Sequence, residues 1–111
     1  LPENIKADYW AAFWLMAGDI GDNQTSSRLG TEIDIMETFN FGKEGKHQMA
    51  FHWGGYGPTH NSATLDCGPR PEVTGGTWHT FGLYWDETWY VAYLNGVEVG
   101  RTKLIGEGTK P

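Results

Sequence analysis

A single cysteine, Cys67, stands among the 111 residues, so no disulfide can close within the chain and its redox compartment stays open. Positive charge is scarce as well: 8 Lys and Arg face 14 Asp and Glu, for a net charge of −6 and a pI near 5.0. The basic residues are scattered from Lys6 to Lys110 rather than gathered on one segment. That pattern excludes nucleic acid as a partner, because phosphate binding needs a concentrated basic patch. It also weighs against a sulfated polymer, which favours a cationic cleft. No apolar stretch approaches the roughly 20 residues of a membrane-spanning helix, and no membrane association is expected. The four histidines are spaced by 5, 8 and 19 residues, which matches no zinc-ligand pattern. Neither a metal nor a cofactor is expected. Helix-length amphipathic runs, internal repeats, low-complexity tracts and linkers are all missing, which leaves one domain over residues 1–111.

Glycine and aromatic residues are plentiful: 16 Gly, 6 Trp, 5 Tyr and 5 Phe. Aromatic and β-branched runs separated by Gly/Pro-rich turns predict a sandwich of antiparallel sheets. Residues 8–16, D-Y-W-A-A-F-W-L-M, predict an aromatic strand, followed by a polar loop over 17–30 that contains a glycosylation sequon at Asn23. Residues 48–53, Q-M-A-F-H-W, predict a second strand, and 54–58 a loop. Residues 78–86 predict a further strand ending in an Asp86-Glu87 turn. The run 90–94 then leads through an Asn95-Gly96 hairpin turn into Val97. Phe81, Trp85 and Val91 are expected to be sandwich core, and Cys67 a turn residue before Gly68-Pro69.

The most informative segment is 31–40, T-E-I-D-I-M-E-T-F-N. Glu32 and Asp34 share a face of a strand, since side chains alternate with period 2. The third acid comes one residue late, at Glu37. A β-bulge that absorbs one residue around Ile35-Met36 returns Glu37 to the face of the other two, and bulges commonly re-aim side chains beside active sites. Three like charges on one patch raise at least one pKa, an arrangement suited to paired-carboxylate chemistry. Retaining cleavage of a glycosidic bond needs two carboxyl groups roughly 5–5.5 Å apart, one as nucleophile and one as acid/base.

E-I-D-I-M-E resembles the signature of family 16 glycoside hydrolases in its bulged form, E-x-D-x-x-E, found in the laminarinase-like branch. The resemblance implies that Glu32 is the nucleophile, Glu37 the acid/base and Asp34 the group that tunes and orients them. Three further segments are similar to the family: A-F-W-L-M at 12–16, H-W-G-G-Y-G at 52–57, and W-H-T-F-G-L-Y-W at 78–85. From these, the candidate sugar-binding residues are Trp14, His52, Trp53, Tyr56 and His79. The flat rings of Trp53 and Tyr56 suit stacking on pyranose faces, and His52 offers a hydrogen-bonding edge. One departure concerns residues 27–31, S-R-L-G-T, where many bulged members carry tryptophan and proline.

The resemblance implies an all-β, concanavalin-like jelly-roll sandwich. The family domain is about twice this length, so the chain is expected to be a part of a catalytic domain that covers its central strands. It also implies an endo-acting, retaining hydrolase of β-linked polysaccharide, with a β-1,3- or 1,3-1,4-glucan as first choice. The alternatives are an agarase- or carrageenase-like galactan hydrolase, and a non-catalytic carbohydrate-binding protein. A secreted monomer whose partner is the polysaccharide is expected.

Overall fold

A computed structural model describes residues 10–18, 30–37, 45–73 and 76–104. The polar loop at 19–29 with its sequon, the S-R-L part of the divergent segment, and the strand tail at 38–40 lie outside the described residues. Within them the chain forms strands β1 (Ala12–Met16), β2 (Thr31–Glu37), β3 (Lys46–Trp53), β4 (Asn61–Pro69), β5 (Phe81–Trp85), β6 (Trp89–Leu94) and β7 (Val97–Lys103). The described residues hold no helix. Two antiparallel sheets result, one ordered β1-β2-β3-β4 and the other β5-β6-β7. The second lies across the first with β5 against β2 and β7 against β4.

Alternation decides which residues meet between the sheets. Ile33 and Ile35 of β2, Met49 and Phe51 of β3, and Cys67 of β4 point inward from the first sheet, toward Tyr90 and Ala92 of β6. The Phe51 and Tyr90 rings lie 4.6 Å apart between centroids, and His47 meets Phe81 edge-on at 5.2 Å. Phe81 and Trp85 pack against this core as expected. Val91 is buried too, but on the outer face of its sheet, paired with Tyr84 and Arg101. The Asn95-Gly96 turn forms as predicted. Leu94 pairs with Val97, and φ is +51° at Asn95 and +78° at Gly96, the doubly left-handed backbone of a tight hairpin. Asp86 closes the other turn by accepting the backbone N–H groups of Thr88 and Trp89 at 2.7 and 2.8 Å.

One strand was not legible in advance. β4 reads N-S-A-T-L-D-C-G-P, with few β-branched or aromatic residues; among the described residues it has a neighbour on one side only and turns only part of one face inward. Cys67 therefore belongs to a strand and not to a turn. It is 2% exposed, its burial pushes the thiol pKa up to about 11, and it packs beneath β7. A Cβ added at Gly100 would stand 3.2 Å from its sulfur.

Phe51 bridges the sheets at full burial. Phe51→Ala is expected to cost about 3–5 kcal/mol of unfolding free energy, measurable by denaturant titration of the full-length protein.

Candidate active site

The bulge falls where the acid spacing requires it. Asp34 pairs with Trp14 and Met36 with the adjacent Phe13, so Ile35 is the extra residue on β2. Ala12 consequently pairs with Glu37, Trp14 with Asp34 and Met16 with Glu32. Paired residues share a face, so all three acids stand on the side of the sheet away from the core. The carbonyl of Ile35 accepts a hydrogen bond from Nε2 of the buried His47 at 2.8 Å. Burial lowers the pKa of His47 and favours its neutral form.

Gathering the acids has the electrostatic effect that simple charge counting predicts. Asp34 is only 5% exposed; burial first, then the charges of Glu32 and Glu37, raise its pKa to about 6, with His52 opposing. Glu32 is raised as well, by burial and then by Glu37. Three polar side chains answer this charge. The hydroxyl of Tyr56 donates to Glu32 Oε2, the indole N–H of Trp10 donates to Glu37 Oε1 at 2.7 Å, and His52 Nε2 lies 3.5 Å from Asp34 Oδ2.

Tyr56 arrives on the loop at residues 54–60, which joins β3 to β4. Gly54 sits at φ +80°, and a Cβ there would stand 2.3 Å from the Thr59 carbonyl oxygen. The Thr59 hydroxyl donates to the Gly54 carbonyl at 2.6 Å, and Asn61 Nδ2 donates to the Thr59 carbonyl at 2.8 Å. The closed loop also delivers His60, whose Nε2 is 3.0 Å from His52 Nδ1 and whose ring lies nearly coplanar with that of His52, edge to edge, with centroids 5.2 Å apart.

Of the residues singled out in the sequence, Glu32, Asp34, Glu37, Trp14, His52 and Tyr56 come together on this face. Trp53 does not. His52 pairs with Glu32, so the next side chain points the opposite way, and Trp53 packs against the core. Its proposed sugar contact is corrected to a core role. His79 is likewise not joined to the acids: Nε2 is 2.7 Å from the Thr77 hydroxyl and Nδ1 is 3.1 Å from Asn95 Nδ2, beside the Asn95-Gly96 hairpin. Sequence reasoning missed two members. Trp10 was signalled by its period-2 spacing from Trp14. His60 had no signal while β4 went unseen, since only the Trp53↔Asn61 pairing brings the loop back to His52.

Glu32, Asp34 and His52 offer donor atoms within 4.8 Å of one another. That cluster alone does not define a cation site, and its bonds to Tyr56 and His60 are those of a carboxylate–imidazole network. A polar cleft with two carboxylates held separately, each by its own donor, is suited to acid/base and nucleophilic work on one substrate bond.

Comparison with known proteins agrees with this geometry. Residues 4–108 match the profile of Glycosyl hydrolases family 16, and the chain belongs to that family. It is similar to the solved structure of a glycoside hydrolase family 16 endo-glucanase from Bacteroides ovatus in complex with G4G3G-2F-DNP. The identity is 25% and the TM-score 0.67, over 93% of this chain and 44% of that one. The chain thus spans less than half the length of that relative. Among curated proteins none matches it. The two-sheet architecture is the jelly-roll β-sandwich of the family.

Two outcomes test the site. Asp34 has a raised pKa, so the folded state holds a proton that the unfolded chain releases between pH 3.8 and about 6. Stability tied to that proton is complete below the lower value and is lost as pH rises through the upper one. Asp34→Asn should therefore raise the melting temperature at pH 7.5, by at most on the order of 2–3 kcal/mol of stability. The gain should vanish near pH 3.5, and a lower melting temperature at pH 7.5 would contradict the electrostatic account. Gly54→Ala should destabilise by about 1–3 kcal/mol and weaken the Tyr56 contact, read from thermal melts and from tyrosine fluorescence.

Proposed function

We propose that the protein is a retaining, endo-acting hydrolase of β-linked polysaccharide, with a β-1,3- or mixed 1,3-1,4-glucan as substrate, of the bulged, laminarinase-like kind. The observation that carries this reading is the bulge at Ile35, which sets Glu32, Asp34 and Glu37 on one face. Family membership and likeness to an endo-glucanase support the same substrate class.

Glu32 attacks the anomeric carbon. Tyr56 occupies one of its oxygens and favours the charged form, leaving the other oxygen for attack. Glu37 protonates the departing oxygen and then deprotonates the water that releases the glycosyl-enzyme. Trp10 holds one Glu37 oxygen and leaves the second for the proton. Asp34 lies between the two glutamates on the strand; with a pKa raised to about 6 it takes up a proton as pH falls through that value, which lowers the negative charge beside Glu32. Trp14 and Tyr56 supply exposed aromatic surface for pyranose rings. The reading includes a secreted monomer acting on an extracellular polymer.

The test is reducing-sugar release from laminarin, lichenan and agarose by the full-length protein and its Glu32→Gln variant. Laminarin or lichenan turnover that falls at least roughly a thousandfold in the variant, with oligosaccharide binding kept, supports the assignment. Turnover of agarose alone moves the substrate to galactans. Oligosaccharide binding with no turnover of any polymer makes this a carbohydrate-binding protein.

A further inference from the structure

His60 is exposed and touches none of the acids directly, yet it bonds the one histidine that faces Asp34. A hydrogen bond between two imidazoles needs an N–H on one ring and a bare nitrogen on the other. If His52 kept its proton on Nδ1, it would donate to His60 and turn a lone pair toward Asp34. If His60 donates, Nδ1 of His52 is the acceptor, and the His52 proton sits on Nε2, aimed at Asp34 Oδ2.

The surroundings select between these two states. Glu32, Asp34 and Glu37 stand on β2, the Tyr56 hydroxyl lies on the loop, and β1 contributes the uncharged Trp14 and Met16. On the same side of β4 are Ser62 opposite His52, then Thr64, with Asp66 farther along opposite Gln48; Lys46 stands at the far end of β3. The groups nearest His52 are thus acids and acceptors, which favour an N–H pointing at them. Contact with Tyr56 at 5.8 Å between ring centroids and the chain's return into β4 hold the His60 ring nearly coplanar with that of His52, edge to edge, where its Nε2 meets Nδ1.

We propose that His60 is a positioning residue: by donating to His52 Nδ1 it fixes His52 as the Nε2–H tautomer and so keeps a donor on Asp34 beside the nucleophile. This deepens the hydrolase reading and rests on it for its catalytic consequence. The tautomer itself does not depend on turnover.

The experiment uses full-length protein labelled with 15N at histidine, as parent, His60→Ala and His60→Gln. Glutamine retains an amide N–H for His52 but cannot titrate. Long-range 1H–15N spectra report the tautomer of His52 directly. The parent should show Nε2–H, His60→Ala a mixture or the opposite tautomer, and His60→Gln the parent state. On the glucan that the parent cleaves, His60→Ala should lower kcat about tenfold with KM changed less than about twofold, and His60→Gln should restore most of it. An unchanged His52 tautomer in His60→Ala overturns the proposal, whatever happens to rate. So does a glutamine variant no better than alanine. If Glu32→Gln left hydrolysis intact, the hydrolase mechanism would fall while the tautomer result still decided the role of His60.

Discussion

The extra residue in β2 is the constraint on which the cleft depends. Without it, strict alternation would turn Glu37 toward the sandwich interior, where Ile33 and Ile35 pack. A bulge disrupts the regular ladder around one residue, and here the carbonyl of Ile35 is met by a side chain, His47, from the neighbouring strand. A buried carbonyl without a partner costs about 1–3 kcal/mol, so this bond helps decide whether the bulge is tolerable. His47 lies on the core face and the acids on the other. The device that aims the chemistry is therefore anchored in the hydrophobic interior.

The cleft works against the stability of its own sheet. Asp34 would be easier to bury as an amide, and Glu32 feels the charge of Glu37. Tyr56 and Trp10 offset part of this with hydrogen bonds to one oxygen of each glutamate. The arrangement distinguishes the two glutamates by their donors: a phenol from the β3–β4 loop for Glu32, an indole from the approach to β1 for Glu37. Two chemically similar groups thereby acquire different surroundings, the usual route by which paired carboxylates take different roles.

Much of this was legible in the residues. The E-x-D-x-x-E spacing contained the bulge, because period 2 and a common face for three acids cannot both hold without one. Asn95-Gly96 announced its hairpin through the left-handed backbone that these two residues tolerate. Legibility failed where a side chain's direction depends on a partner strand. The H-W pair at 52–53 can send only one ring to the cleft, and the pairing of β3 with β2 sends His52 there and Trp53 to the core. β4 hid because, with most of its residues exposed among the described residues, it carries little hydrophobic patterning. With it hid His60, which the strand's return positions. The aromatic ring of Trp10 was visible, but its bond to Glu37 depends on the shifted register of β1.

The acids ride on a strand bonded to neighbours on both sides, whereas Tyr56 and His60 ride on a loop closed by a few bonds around Gly54 and Thr59. Local openings of such a loop take less free energy than melting the sheets. Warming is therefore expected to loosen the cleft first at the loop, with the Tyr56 hydroxyl leaving Glu32 and the His60 imidazole leaving His52 before the sandwich gives way. For the proposed activity, heat tolerance would then depend on the glycine and threonine contacts at the rim as well as on the core.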